Sequence, residues 1–212
     1  MEKNKSYFDF DGTLISVNSF PLWILFSAFY ALISLRLGLF GKILKLLFQR
    51  KIQQKISHYE FKKALISLNI SEKSDENFVQ ILTVFKRKNL VEELKKLHSE
   101  NHEIVISSAA PENYLKKIIA FIFPEIHQNL MIIGSNIVDN ELIDNYKEQK
   151  LINLHQSGFL AENEMLKNVF TDSWDDVSLA YRCENLILIA PKPKCKAMFL
   201  ADSALNSKIK IQ

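Results

Sequence analysis

Two aspartates two residues apart, Asp9 and Asp11 in the run Asp9-Phe10-Asp11-Gly12-Thr13-Leu14, close a short apolar stretch near the start of the chain. In an extended chain, side chains at i and i+2 point the same way, and two like charges that close are costly unless a cation or a difference in role separates them. A divalent metal resolves the conflict. Mg2+ suits hard oxygen ligands, typically one or two carboxylates, and leaves room for a phosphate oxygen. Asp-Gly is also a common turn dipeptide, so three further stations carry weight. Ser107-Ser108-Ala109-Ala110-Pro111 offers hydroxyls and free backbone N–H groups ahead of a helix, an arrangement that binds phosphate. Lys150, with Lys147 nearby, puts a compact cation before another helix, and Thr171-Asp172-Ser173-Trp174-Asp175-Asp176 adds more carboxylates. Singly, each has a plain explanation as a cap, a solvated lysine or an exposed acidic turn. Jointly and in this order they are hard to dismiss.

The elements that must position these residues are legible from periodicity. Ser6 to Phe10 reads as a short buried strand broken by Asp11-Gly12. A helix-rich stretch follows: Phe20 to Leu35 without a charge, Leu37 to Arg50 at helical spacing, then His58 to Leu68, Asp75 to Lys88 and Leu90 to Glu100. Gly38 and Gly41 are expected to mark a bend between the first two. From Glu103 the pattern changes to a strand (to Ser107) and a helix opened by Pro111 as a first-turn proline. Met131 to Ile143 reads as two short strands around Asp139-Asn140. A helix over Lys150 to Gln156, a strand over Asn168 to Thr171, a helix over Asp176 to Arg182 and a last strand over Leu186 to Ala190 complete the pattern. Strands alternating with helices predict an α/β fold with a parallel sheet and helices on both faces. The expected division is a core of residues 1–14 and 90–212, with an all-helical insertion at 15–89. That insertion follows a strand's C-terminal end, the edge where open α/β sheets bind ligands, so it is placed as a lid.

Composition narrows the class. The 212 residues are 48% hydrophobic and 24% charged, a balance able to bury a real core, and 27 Lys plus Arg against 24 Asp plus Glu leave a net charge of +3, too mild for a nucleic-acid footprint. Two cysteines, Cys183 and Cys195, have neither zinc-type spacing nor the number for a disulfide framework, so a reducing cytoplasm is expected. No signal peptide is read at the N-terminus, where the first apolar stretch is short and ends in acid. Glycine is scarce, five in all, and Gly12 stands where the chain must turn beside the two aspartates.

DFDGTL, then SSAAPENYL, then a lysine opening a helix, then DSWDD resembles the four ordered motifs of the haloacid dehalogenase superfamily. The likeness is strongest to its phosphoserine-phosphatase-like branch, with a helical cap between the first and second motifs. It covers residues 6 to about 195 and implies a Rossmann-like core. By that resemblance Asp9 is the nucleophile that forms an aspartyl-phosphate and Asp11 the general acid and base. Ser108 holds the phosphoryl group, with Ser107 as the fallback, and Lys150 neutralises charge, with Lys147 as the alternative. Mg2+ sits between Asp9, the backbone carbonyl of Asp11 and Asp172, with Asp176 orienting its waters and Asp175 assisting. Phe10, Gly12, Thr13, Ala109 and Asn18 belong to the expected substrate contacts. An acid two residues after the nucleophile favours phosphate esters over dehalogenation. In phosphoserine phosphatases of the branch a glutamate stands nine residues after the nucleophile; here Asn18 does, and its neutrality disfavours phosphoserine. Retention of Asp9, Asp11 and Asp172 argues against a non-catalytic scaffold, while a phosphotransferase using the same intermediate stays open.

The first helices bear on substrate. Phe20 to Leu35 is short for a membrane span, which needs about 20 residues, and Leu37 to Lys51 is basic and amphipathic, the pattern of an interface-lying helix. Either these helices pack as a soluble cap over a phosphorylated small molecule, or residues 20–51 touch a membrane and admit a lipid phosphate. Some members of the branch resemble lipid-phosphate phosphatases, including ones acting on phosphatidylglycerophosphate. The expected location is the cytoplasm, at the inner membrane face in the second case.

Overall fold

The computed structural model describes residues 3–68 and 70–212. Met1, Glu2 and Asn69, inside the expected core and insertion spans, lie outside the described residues.

The chain opens with strand β1 (Lys5–Asp9) and continues through five helices, α1 (Ser19–Ile33), α2 (Leu37–Lys51), α3 (His58–Ile66), α4 (Glu72–Leu82) and α5 (Lys88–Ser99). Then come β2 (Glu103–Pro111), α6 (Glu112–Ile122), β3 (Met131–Val138), β4 (Glu141–Ile143), α7 (Glu148–Gln156), β5 (Leu166–Thr171), α8 (Val177–Tyr181), β6 (Cys183–Leu188), α9 (Pro193–Ala201) and β7 (Ile209–Ile211). The strands form one sheet in the order β4-β3-β2-β1-β5-β6-β7. Every neighbouring pair is parallel except β3–β4, a hairpin whose turn residues Asp139 and Asn140 both have positive φ, at 49° and 61°. Asx residues tolerate that conformation best among side-chain-bearing residues, which is why this dipeptide makes the turn.

Strand alternation divides the core into two faces. Phe8, Ile104, Ile106, Phe170 and Ile187 face α5 and α6, in a cluster with Leu94, Leu115 and Ile118. Tyr7, Val105, Val169, Leu186 and Leu188 face the other way, with Leu154 of α7, Leu179 of α8 and Phe199 of α9. A parallel sheet with helices on both faces was expected; the sheet found has helices on both faces and is parallel except at β3–β4. The pleat also aims Asp9: two residues after Tyr7, it shares the α7 side of β1.

Helices α1 to α4 bury Trp23, Ile24, Ile43, Phe61, Leu65 and Phe78 in the same cluster as α5 and α6. The chain leaves the sheet and returns side by side, since Ser16 N donates to the Phe85 carbonyl and Arg87 N to the Leu14 carbonyl, both at 2.9 Å. Asn18 caps α1 by accepting from Phe20 N, and Ser57 and Glu60 close a capping box on α3.

Four local expectations are revised. Gly38 and Gly41 lie inside α2, and the bend falls at Ser34–Arg36, where Leu35 takes φ 55°. Strand β2 does not end at Ser107; its pairing with β3 resumes at Pro111–Ser135 after a register shift, which holds Pro111 extended as the residue before α6 rather than in its first turn. The Asp176–Arg182 helix begins as a 3-10 turn over Trp174–Asp176. The strand over Leu186 to Ala190 is not the last, because α9 and the edge strand β7 follow it. Lys192, Lys194 and Lys196 mask the short apolar pattern of α9, and three residues are too few for a periodic signal in β7.

Candidate active site

The end of β1 supplies two carboxylates, held in different ways. Asp9 is 5% exposed, and its Oδ1 accepts from Lys150 Nζ at 2.7 Å, while the Thr13 hydroxyl lies 3.4 Å from Oδ2. Asp11 has turned off the strand. Its Oδ1 accepts from the backbone N–H of Ser19 at 2.6 Å and its Oδ2 from the Ser108 hydroxyl at 2.8 Å. Burial pushes the carboxyl of Asp9 well above the usual range; Lys150 opposes this, and Asp176 and Asp172 reinforce it. Burial also raises Asp11, against the hydrogen bonds from Ser19 and Ser108.

Lys150, in the first turn of α7, is buried and bridges two acids, donating to Asp9 Oδ1 and to Asp176 Oδ1, each at 2.7 Å. Burial alone would lower its pKa, but Asp176 and Asp9 hold it well above the usual lysine value. Lys147, the alternative, stands at the N-cap of α7 with its ammonium over the Tyr146 ring. Asp176 is fully buried, and its second oxygen accepts from the Thr171 hydroxyl at 2.7 Å. Both of its oxygens are thus engaged inside the protein.

Asp172 follows β5. Its carboxyl is pushed up to about 6, by burial first and then by Asp176. Gly12 lies so close that a Cβ there would stand 2.3 Å from Asp172 Oδ2, and Gly12 has φ +79°. The turn expected at Gly12 is present in left-handed backbone, and the missing Cβ also lets Asp172 approach closely. The Arg87 guanidinium donates to the Gly12 carbonyl at 3.3 Å and ties the returning end of the helical segment to this turn.

A cavity of about 610 Å³ opens over these groups, lined by Asp9, Asp11, Gly12, Asn18, Ser108, Ala109, Lys150, Asp172 and Asp175 among others. Three expected contacts are placed differently. Phe10 is buried in the apolar cluster, and Thr13 is buried against Asp9. Ser107 points inward to accept from Asn145 Nδ2 at 2.8 Å. None of the three side chains lines the cavity, because alternation and the turn after Asp9 send them into the interior. The Ser108 hydroxyl also accepts from Ala110 N at 2.9 Å, so one of the N–H groups expected to be free is already used.

Other residues of the site had no signal of their own in the sequence. Asn145 donates to Ser107 Oγ, the Ser108 carbonyl and the Ile133 carbonyl, fixing the loop that carries Ser108. From α3, His58 and Lys62 form part of the cavity wall beside Phe20, and Lys62 is buried, bonded to Ser135 and paired with Asp144. Their i, i+4 spacing on one helix was the only available hint.

The family model described as haloacid dehalogenase-like hydrolase matches residues 7–180. The chain belongs to that family. No curated protein matches the sequence. Among solved structures, a protein of unknown function from Bordetella pertussis Tohama I is similar at TM-score 0.69 and 13% identity, over 100% of this chain and 98% of that one. A phospho-aspartyl intermediate analogue of phosphoserine phosphatase is similar at TM-score 0.57 and 16% identity, over 100% and 93%. Cytosolic 5'-nucleotidase IIIB bound to cytidine is similar at 0.57 and 14%, over 98% and 79%. Likeness at such identities is one of fold, and it places this haloacid dehalogenase-like hydrolase with the architecture of the phosphoserine phosphatases.

Proposed function

We propose that this hydrolase is a Mg2+-dependent phosphatase that cleaves a phosphate monoester through an aspartyl-phosphate on Asp9, with residues 15–89 as the cap over its site. One observation carries the reading: Asp9 and Asp11 face one cavity in different states, Asp9 paired with Lys150 and Asp11 with Ser19 and Ser108. A pair of carboxyl groups with separate environments is what a nucleophile and a proton donor require.

In the first half-reaction an Asp9 oxygen bonds to phosphorus as the bond to the ester oxygen breaks, and Asp11 gives that oxygen its proton. Burial shifts the Asp11 carboxyl upward, the direction that suits a proton donor. In the second, water attacks phosphorus with Asp11 taking its proton, and the bond to Asp9 breaks, leaving inorganic phosphate. Ser108 Oγ sits within reach of both the cavity and Asp11, positioned to hold a phosphoryl oxygen. Lys150 offsets charge on Asp9, and Asp176, held by Thr171, positions Lys150.

The donor set fits Mg2+. Asp9, Asp172 and the Asp11 carbonyl are hard oxygens, and Asp9 and Asp172 are raised by burial first, with Asp176 adding to it. Mg2+ keeps several waters and needs only one or two carboxylates, which Asp9 and Asp172 would supply. When bound, the ion supplies charge stabilisation at the phosphoryl oxygens.

The test is release of inorganic phosphate from p-nitrophenyl phosphate. Release that needs Mg2+ and is lost in Asp9→Asn supports the reading; turnover undiminished in Asp9→Asn rejects it.

A further inference from the structure

Helix α1 has an outer face with no polar side chain. Pro21, Leu25, Phe29, Leu32 and Ile33 recur at helical spacing and are all exposed, Leu25 by 62% and Phe29 by 59%. Surface helices ordinarily turn polar residues outward; α1 reverses this and buries Ser19 and Ser27 instead. The apolar surface continues around the tip of the α1–α2 hairpin, where Leu35 is 82% exposed, and along α2 through Leu44 and Phe48. Contiguous apolar surface of this extent marks an interaction site.

Within the hairpin itself the charges are of one sign. No Asp or Glu occurs from Gly12 to Tyr59, while Lys42, Lys45 and Lys51 are exposed on α2 and Lys55 follows it. Among the described residues no helix is long and apolar enough to cross a membrane. The 15 residues of α1 extend about 22 Å, less than the roughly 30 Å of a bilayer's hydrocarbon core.

We propose that the α1–α2 hairpin docks on an anionic lipid bilayer, lying in the headgroup plane with Leu25, Phe29 and Leu35 among the acyl chains and Lys42, Lys45 and Lys51 at the lipid phosphates. A second copy of the chain is a poorer occupant, because a twofold contact would set this unbalanced lysine face against itself. The stripe begins at the cavity, which Pro21 lines, so docking brings the cavity mouth to the level of the headgroups. That a membrane-borne phosphate ester then enters it rests on the phosphatase reading; the docking does not.

Co-sedimentation of the Asp9→Asn protein with vesicles reads the surface without the chemistry. The protein should pellet with vesicles of phosphatidylglycerol and phosphatidylcholine, remain in the supernatant with phosphatidylcholine alone, and be released by high salt. Phe29→Asp should weaken binding about tenfold or more, and Lys42→Glu with Lys45→Glu about fivefold or more per lysine. In the wild-type background these variants should keep full turnover of p-nitrophenyl phosphate, which shows the fold intact. Absence from the phosphatidylglycerol pellet overturns the proposal, as does equal binding to phosphatidylcholine or a concentration-dependent dimer broken by Phe29→Asp. Intact sedimentation of a protein without phosphatase activity supports the docking and rejects only the phosphatase reading.

Discussion

Lys150 Nζ donates to Asp9 Oδ1 at 2.7 Å across 141 residues of chain, both side chains being almost wholly out of water. Asp176 completes the contact from the other side of the ammonium, so one cation satisfies two buried carboxylates. Removing one member of a buried ion pair leaves its partner charged and uncompensated. Lys150→Met should therefore destabilise the fold by about 3 to 5 kcal/mol and lower turnover as well, read by denaturant unfolding and steady-state kinetics. A variant of unchanged stability would mean that the pair is not formed in solution.

Thr171 reaches the same network through its hydroxyl, 2.7 Å from Asp176 Oδ2. Thr171→Val keeps the shape and deletes the donor, at an expected cost of about 1 to 3 kcal/mol for a buried acceptor left unpaired. Thr171→Ser should recover most of that stability, and equal losses in both variants would assign the effect to packing instead.

Asp11 is expected to act as the proton donor, so the effect of removing its acid should depend on the leaving group. Asp11→Asn can still accept from Ser19 N, which favours retention of the fold. Turnover of an alkyl phosphate should fall by about 10²- to 10⁴-fold. The bond-breaking step with p-nitrophenyl phosphate, whose leaving oxygen needs little protonation, should fall less. Equal losses on the two substrates, read by pre-steady-state kinetics, would count against a proton-donor role.

Gly12→Ala would place a methyl group against Asp172 at a backbone φ of +79°. The conformation alone costs roughly 1 kcal/mol for an L-residue. Displacing Asp172 by about an ångström should reduce turnover by about 10²-fold and raise the Mg2+ concentration needed for half-maximal rate. Unchanged Mg2+ dependence would separate this turn from the metal.

In the metal-free protein Asp172 should contribute stability in mild acid that is lost toward neutral pH. Asp172 has its carboxyl raised to about 6 in the folded state, from 3.8. Between those values the folded protein holds a proton that the unfolded chain has released, so stability falls as pH rises through that window. Asp9 and Asp11 are raised as well and act in the same direction. In EDTA the stability of the wild type relative to Asp172→Asn should fall between pH 4 and 6, and Mg2+ should stabilise the wild type more at neutral pH than at pH 5. A difference between the two proteins that stays constant over this range would contradict the raised Asp172 carboxyl.

The order of the four chemical stations, the strand–helix alternation, the hairpin at Asp139-Asn140 and the placing of Asp9 and Asp11 at the end of one strand were all written in local spacing, because period and turn chemistry act over a few residues. So was the charge imbalance of the first helices. Tertiary structure alone decided that Lys150 rather than Lys147 reaches Asp9, that Ser108 faces Asp11 while Ser107 turns inward, and that Phe10 and Thr13 lie away from the cavity. It also recruited Ser19, Asn145 and Thr171, residues of ordinary type that act only through hydrogen bonds to chemical groups. Which apolar side of α1 would be buried was equally beyond local pattern. With apolar residues all around the helix, periodicity marks no preferred face, and only packing against α4 and the core decided that Leu25 and Phe29 stay outside.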